Sequence, residues 1–364
     1  MTNIIKKTAN SELIEHYAKP IAHFWNEEGI TSICINRFDG VYVRKNGEYI
    51  LTDVTFGSED KLYHFISQIS KNLKQVVDEN NPILDARMPD GARINAVLSS
   101  NSTRGANVTI RLFPKVRFSV NDLLARGMFS NEMLCYMHIL VKTMSNVLVS
   151  GQSGSGKTTL LNAIGNLIPK NSRTLIIEDT SELNLDVDNI IQMEAPHRVL
   201  PKDVQPITMA RLVINTLRQE PERTIVGEIR DVAAASALQV ALNVGNRGIL
   251  STLHANNALQ TFERFQDLLL NNDTRLPYDV LVNRTRDAID AVVFADRTPN
   301  QGQRVVELAE TQEDREVKIL WQWDYKQGKH VANFKDFRAL RVVKKALDSN
   351  LVDEAFLSNY GVVF

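Results

Sequence analysis

The rhythm of apolar and polar residues changes about a third of the way along the chain. Residues Thr31 to Val43 alternate in the manner of two short strands around the Asp39-Gly40 turn. Leu62, Phe65, Ile66, Ile69, Leu73 and Val76–Val77 then recur at helical spacing, which predicts a helix over Lys61–Val77. A second Asp-Gly turn at Asp90-Gly91 separates strand-like runs, and Asn107–Phe113 reads as another strand. This first region is α+β and carries no catalytic signature of its own. From about Ser119 the pattern shifts: helix-like Val120–Arg126 and Asn131–Val141 lead into the apolar, β-branched run Asn146–Ser150. Strands are then predicted at Arg173–Glu178, Asn189–Met193, Thr224–Ile229 and Gly248–Leu253. They alternate with helices at Lys157–Leu167, Thr208–Gln219, Val232–Val244 and Ala258–Leu270. That alternation predicts an α/β domain built on a largely parallel, buried sheet. The expected organisation is an N-terminal domain over 1–114, a linker at 115–119, an α/β domain over 120–316 and a C-terminal extension over 317–364.

Composition narrows the picture. The chain has 364 residues, 43% hydrophobic and 23% charged, which suits an ordinary globular protein of two domains. A formal charge of −1 gives no global attraction to nucleic acid or to an anionic bilayer, and no basic run stands out. Direct sequence-specific nucleic-acid binding is therefore not expected. The 7 histidines lack metal-ligand spacing. Cys34 and Cys135 lie far apart, and Cys34 sits in the apolar run Ile33-Cys34-Ile35, so a small buried thiol is expected rather than a disulfide or a zinc site. Neither a secretory h-region nor a run of about 18 apolar residues is present, which points to the cytoplasm, with docking on a membrane complex left open.

The chemistry begins after the Asn146–Ser150 run. Gly151-Gln152-Ser153-Gly154-Ser155-Gly156-Lys157-Thr158, followed by Thr159, stands between a predicted strand and a predicted helix, the context a phosphate-binding loop requires. Its glycines let backbone N–H groups turn inward around a phosphate, and the helix beyond adds the positive end of its dipole. Lys157 is suited to bridge β- and γ-phosphate oxygens of ATP, and the Thr158 hydroxyl to help hold Mg²⁺. Hydrolysis also needs a group that orients water. Two acidic motifs end predicted strands, Glu178-Asp179 and Glu228 within Gly227-Glu228-Ile229-Arg230-Asp231. Many phosphate-loop enzymes carry Asp-Glu at the second motif, whereas here Gly227 holds the Asp place. Glu228 becomes the candidate that polarises water, and Glu178 or Asp179 the candidate for the Mg²⁺ shell. Each could equally be a solvated or salt-bridged carboxylate at a strand end. His254, in Ser251-Thr252-Leu253-His254-Ala255-Asn256, ends the next strand, where it could sense the γ-phosphate or serve as a structural histidine.

In series these motifs resemble the type II/type IV secretion ATPase family, ring-forming motors of secretion, conjugative transfer and pilus assembly. The matching residues are Gly151–Thr159, Ile177–Leu183, Leu217–Glu222 running into Gly227–Arg230, and Ser251–Asn256. Upstream, Asp85–Asn95 and Thr109–Arg111 are similar to the N-terminal domain of the conjugation-type and Tad-pilus-type branches. The resemblance implies a RecA-like α/β domain with a mainly parallel sheet preceded by an α+β domain, a homohexamer, and inner-membrane components of a secretion or pilus machine as partners. It also implies that Arg93 and Arg111 reach the nucleotide phosphates; from the residues alone they read as exposed strand positions. Two departures stand out: Gly245-Asn246-Arg247-Gly248 lacks the Gly-His that many members carry, and no tetracysteine module is present. Two other classes remain open, a nucleotide-gated assembly protein with little turnover and a RecA-like nucleic-acid motor.

Overall fold

The computed structural model describes residues 17–45, 47–88, 90–112, 118–195, 207–270, 277–299 and 301–362. The chain forms two compact units, Met1–Val116 and Arg117–Phe364. The expected linker falls in part on 113–117, outside the described residues.

In the first unit β1 (Ile30–Arg37), β2 (Gly40–Lys45), β3 (Glu48–Leu51), β4 (Ile83–Arg87), β5 (Arg93–Val97) and β6 (Asn107–Arg111) form one antiparallel sheet. Their order is β3-β2-β1-β6-β5-β4. Alternate residues such as Ile33, Ile35, Val41, Val43, Ile94 and Ile110 enter one core, as the period of two requires when only one face is covered. Helix α1 (Glu59–Asn72) lies on that face and buries Leu62, Phe65, Ile66 and Ile69. Each such side chain contributes about 1.5–3 kcal/mol by leaving water. Its start is fixed by Ser58, whose hydroxyl accepts from the Lys61 amide.

Three expectations are corrected here. The helix stops short of Val77, because the chain leaves it at Leu73 and Lys74 takes a φ of +56°. Val76 keeps helical spacing yet lies exposed. The edge strand β3 was not foreseen, since all of its residues are exposed and leave no alternation to read. Cys34 is half-buried rather than buried, and Cys135 is the buried thiol; both are free.

The second unit contains β7 (Val147–Gly151), β8 (Thr174–Glu178), β9 (Ile190–Glu194), β10 (Arg223–Ile229), β11 (Ile249–Leu253), β12 (Ala291–Thr298), β13 (Gly302–Thr311), β14 (Val317–Asp324) and β15 (Lys329–Ala332). They form one sheet in the order β15-β14-β13-β12-β7-β11-β10-β8-β9. The strands from β12 to β9 run parallel, and β13, β14 and β15 extend the sheet antiparallel at one side. Both faces are covered, so β7, β8 and β11 are buried end to end. On one face lie α2 (Val120–Ala125), α3 (Asn131–Lys142), α4 (Lys157–Gly165) and α9 (Arg341–Asp348), in one core with Val147, Val149 and Trp321. On the other lie α5 (Met209–Thr216), α6 (Val232–Asn243), α7 (Ala258–Leu270) and α8 (Tyr278–Ala288), packed on Leu148 and Ile177.

Residues past 316 complete this unit: β14 and β15 lengthen the sheet, and α9 docks by its N-terminus. The Glu310 carboxylate from β13 accepts from the Arg341 and Val342 amides there and from the Tyr136 hydroxyl, supplying the cap that Leu340 lacks. No helix among the described residues is long and apolar enough to cross a membrane.

Candidate active site

The loop 151–156 leaves β7 at the C-terminal edge of the parallel strands, where open α/β sheets gather ligands. β7 lies between β11 and β12, with β8 beyond β10, so the chain order jumps at the loop. Glycine is required at both ends of the loop. Gly151 has a φ of +152°, and a Cβ there would stand 2.0 Å from the Ala295 carbonyl oxygen and 2.5 Å from Ser155 Oγ. Gly156 takes φ +94° and forms the N-cap of α4 with no side-chain hydrogen bond, leaving the first amides of the helix for a ligand. Ser155 Oγ is buried without a hydrogen-bond partner among the described residues. Thr158 is exposed on the first turn of α4, whereas Leu160, Leu161 and Ile164 anchor the helix in the core. From the β12–β13 hairpin, Gln303 Nε2 donates to the Gly154 carbonyl at 3.0 Å and props the loop from outside. Sequence reasoning missed Gln303, because it lies 149 residues from its partner.

Lys157 is nearly enclosed. Its ammonium donates to the carbonyls of Gly151 and Gln152, both at 3.0 Å, and lies 3.3 Å from His254 Nδ1. Burial, aided by the Arg230 charge and opposed by Glu228, pushes the Lys157 ammonium below the usual lysine range. An ammonium beside Nδ1 selects the tautomer with its lone pair there, which leaves the proton on Nε2. That nitrogen stands 2.8 Å from Glu228 Oε1, although Oε1 receives no aligned hydrogen bond.

Glu228 lies where β10 carries one residue more than its neighbour. Val226 pairs with Ser251, whereas Ile229 pairs with Leu253, so Gly227-Glu228 forms a bulge that re-aims the glutamate. The Thr252 hydroxyl, donating to the Gly227 carbonyl at 2.7 Å, pins the bulge. Arg230 then folds back over it. Nε donates to Glu228 Oε2 at 2.6 Å and Nη1 to Asp179 Oδ2 at 2.8 Å. Burial works against the Arg230 charge, but Asp179 and Glu228 outweigh it and raise the guanidinium further above its ordinary value.

Glu178 is placed differently. Its Oε1 accepts from the Glu182 and Leu183 amides at 2.8 and 2.9 Å, and burial pushes the carboxyl up to about 7. Asn162 of α4 and Asn166 at its C-cap continue the staple, their Oδ1 atoms accepting from the Asn184 and Asp186 amides. The segment after β8 is thereby fixed along the phosphate-loop helix. The structure thus gathers Lys157, His254, Glu228 and Asp179 at one sheet edge beside the loop, whereas the hydrogen bonds of Glu178 go to its own loop. Beside them a cleft of about 440 Å³ is lined by Gln152, Ser153, His254, Asn256 and Arg264, among others.

Arg93 and Arg111 belong to the first unit, where they stand directly opposite each other on β5 and β6; Arg87 on β4 faces Arg93 in turn. Such like-charged cross-strand neighbours cost free energy unless an anion or an acidic group answers them.

The residues of the site fit a nucleotide triphosphate. Gly151 and Gly156 leave a cradle that a side chain at Gly151 would fill, Ser155 Oγ awaits a partner, and Lys157 stands at the loop. Mg²⁺ would meet the exposed Thr158 hydroxyl, and Asp179, whose Oδ2 accepts from Arg230, would reach it through a water. MJ0900, an uncharacterized protein of Methanocaldococcus jannaschii, is similar at 31% identity over 290 residues, 77% of this chain and 50% of that protein. The chain thus spans half the length of that relative. The type IV secretion system protein VirB11 of Brucella suis is 27% identical over 324 residues, 82% of this chain and 89% of that protein. The pilus retraction motor PilT, solved with bound ADP, shares the fold at 17% identity and a TM-score of 0.58, covering 93% of this chain and 88% of that one. The second unit is accordingly RecA-like, a mainly parallel α/β domain preceded by an α+β one. The family described as type II/IV secretion system protein matches residues 15–315, and the chain belongs to that family.

Proposed function

We propose that this chain is an ATPase subunit of a ring-forming motor that powers a type IV secretion, conjugative-transfer or pilus machine. The observation that carries the hydrolytic reading is the continuous line of polar groups from Lys157 through His254 and Glu228 to Arg230 and Asp179, laid beside a glycine cradle. In this reading the loop amides and Lys157 hold the triphosphate, with Gln152, Ser153, Gly154 and Thr159 completing its wall. Mg²⁺, when bound, neutralises charge on the phosphate oxygens. Thr158 contributes to its shell, and Asp179 does so through a water while keeping its bond to Arg230. Glu228 orients the attacking water and accepts its proton, and His254 links Glu228 to Lys157, so that movement at the phosphate is felt at the carboxylate.

The domains are taken as 1–114 and 120–316, joined at 115–119, with 317–364 as an extension of the second. A homohexamer, cytoplasmic and held at the inner membrane through the secretion complex, is the assembly this function needs.

A phosphate-release assay tests the reading. Wild-type protein hydrolyses ATP, Lys157→Ala abolishes both tight ATP binding and turnover, and Glu228→Gln loses turnover while binding is kept. Appreciable hydrolysis by Glu228→Gln would remove its assigned role. A second reading is favoured by one observation: the protein itself holds the Lys157 ammonium and one oxygen of Glu228. That suits a nucleotide-gated assembly switch, whose signature is ATP-dependent association measured by light scattering with negligible turnover.

A further inference from the structure

We infer that Arg230 is a positioning residue for hydrolysis, holding the Glu228 carboxylate in place by tying it to Asp179 at the neighbouring strand end. The inference rests on reading the site as a triphosphatase. β8 and β10 are parallel neighbours, and Asp179 and Glu228 leave their C-terminal ends. Two carboxylates brought to one edge repel, and Glu228 stands on a bulge, where the regular ladder does not fix its direction.

The guanidinium answers both problems at once. Nε and Nη2 meet Glu228 Oε2, and Nη1 meets Asp179 Oδ2. A planar fork with donors on separate nitrogens can serve two carboxylates together, which a single ammonium does with poorer geometry. Burial gives the order of the layers. The Glu228 and Asp179 side chains are 13% and 18% exposed, whereas that of Arg230 is 54% exposed and lies over them. His254 Nε2 lies 2.8 Å from the other oxygen of Glu228, so the carboxylate has a side chain on each side. The Arg230 charge also acts on Lys157, which couples the fork to the phosphate loop.

Arg230 touches no substrate atom in this account. Its effect is to keep a water-orienting group at one distance and angle, and a misplacement of about 1 Å can lower a rate about 100-fold. Steady-state ATP turnover is to be measured for wild type, Arg230→Gln, Arg230→Lys, Asp179→Asn and the double variant Arg230→Gln/Asp179→Asn. Thermal unfolding of each confirms that it folds.

Arg230→Gln is expected to lower kcat by about 10- to 100-fold while KM for ATP stays within about threefold. Arg230→Lys, which keeps the charge and loses the fork, recovers less than half of that loss on a logarithmic scale. The double variant falls no further than Arg230→Gln, because both changes break one link. An unchanged kcat, a raised kcat, a loss confined to KM, or losses that multiply in the double variant would each overturn the inference. Failure of the underlying reading looks different: wild type itself would show no turnover sensitive to Lys157→Ala, and the inference would fall with it.

Discussion

Strands β8 and β10 lie side by side, run in the same direction, and each delivers a glutamate to the same edge of the sheet. Glu178 is 3% exposed and spends an oxygen on two backbone amides of the loop that follows it. Glu228 is met instead by side chains, Arg230 on one oxygen and His254 near the other. Backbone partners tie a carboxylate to the shape of a loop, and replacing them means unfolding that loop. Side-chain partners hold a carboxylate without committing the backbone around it. The contrast suits Glu178 to holding the segment along α4 and Glu228 to the role proposed for it, although both read as strand-end acids in the sequence.

The largest expected effect sets the two apart. Glu228→Gln should reduce ATP turnover by about 100-fold or more, the usual contribution of a positioned proton acceptor. Glu178→Gln keeps its shape and an acceptor oxygen, and should cost turnover less than about tenfold. Equal losses in a phosphate-release assay would erase the distinction between the strand ends.

Next in size is the response of stability to pH. Burial, opposed by the Glu182 and Leu183 amides, raises the Glu178 carboxyl from 4.5 to about 7. Between these values the native state holds a proton that the unfolded chain releases. The stabilisation is therefore complete below about 4.5 and is lost as pH rises through about 7, in total about 3 kcal/mol. Glu178→Gln removes this titration. Its unfolding midpoint, taken relative to wild type, should rise between pH 5 and pH 8. A difference that does not move with pH would show that the buried carboxyl is ionised throughout.

The sequence made some of this visible and hid the rest for physical reasons. The glycine cradle at 151–156 was legible because Gly151, Gly154 and Gly156 need positive φ at fixed spacing, and the buried strands because parallel pairing leaves unbroken apolar runs. Glu228 and His254 were legible as strand ends. The separate duties of Glu178 and Glu228 were not, since amides 4 or 5 residues ahead in one case, and in the other an Arg230 whose second carboxylate lies 51 residues back, follow from register and bulge. The prop from Gln303 and the cap that Glu310 places on α9 come from residues distant in the chain, where no local pattern announces them. The edge strand β3 escaped notice because it buries no face.

The smallest effect tests why the two strand ends differ at all. Many phosphate-loop enzymes carry an aspartate where this chain has Gly227, and the packing supplies a reason for the change. A Cβ at Gly227 would stand 3.0 Å from Glu178 Cγ and 3.5 Å from its Cβ, so the buried glutamate of β8 occupies the space that a side chain on β10 would need. Gly227→Ala should therefore cost about 1 kcal/mol of stability through overpacking, read from denaturant unfolding. Truncating the obstacle supplies the control. With Glu178→Ala already present, adding Gly227→Ala should cost almost nothing, because the crowding atom is gone and the two changes couple. Strict additivity would mean that the glycine serves the bulge rather than its neighbour, and the carboxylate of β8 would lose its claim to the place left open on β10.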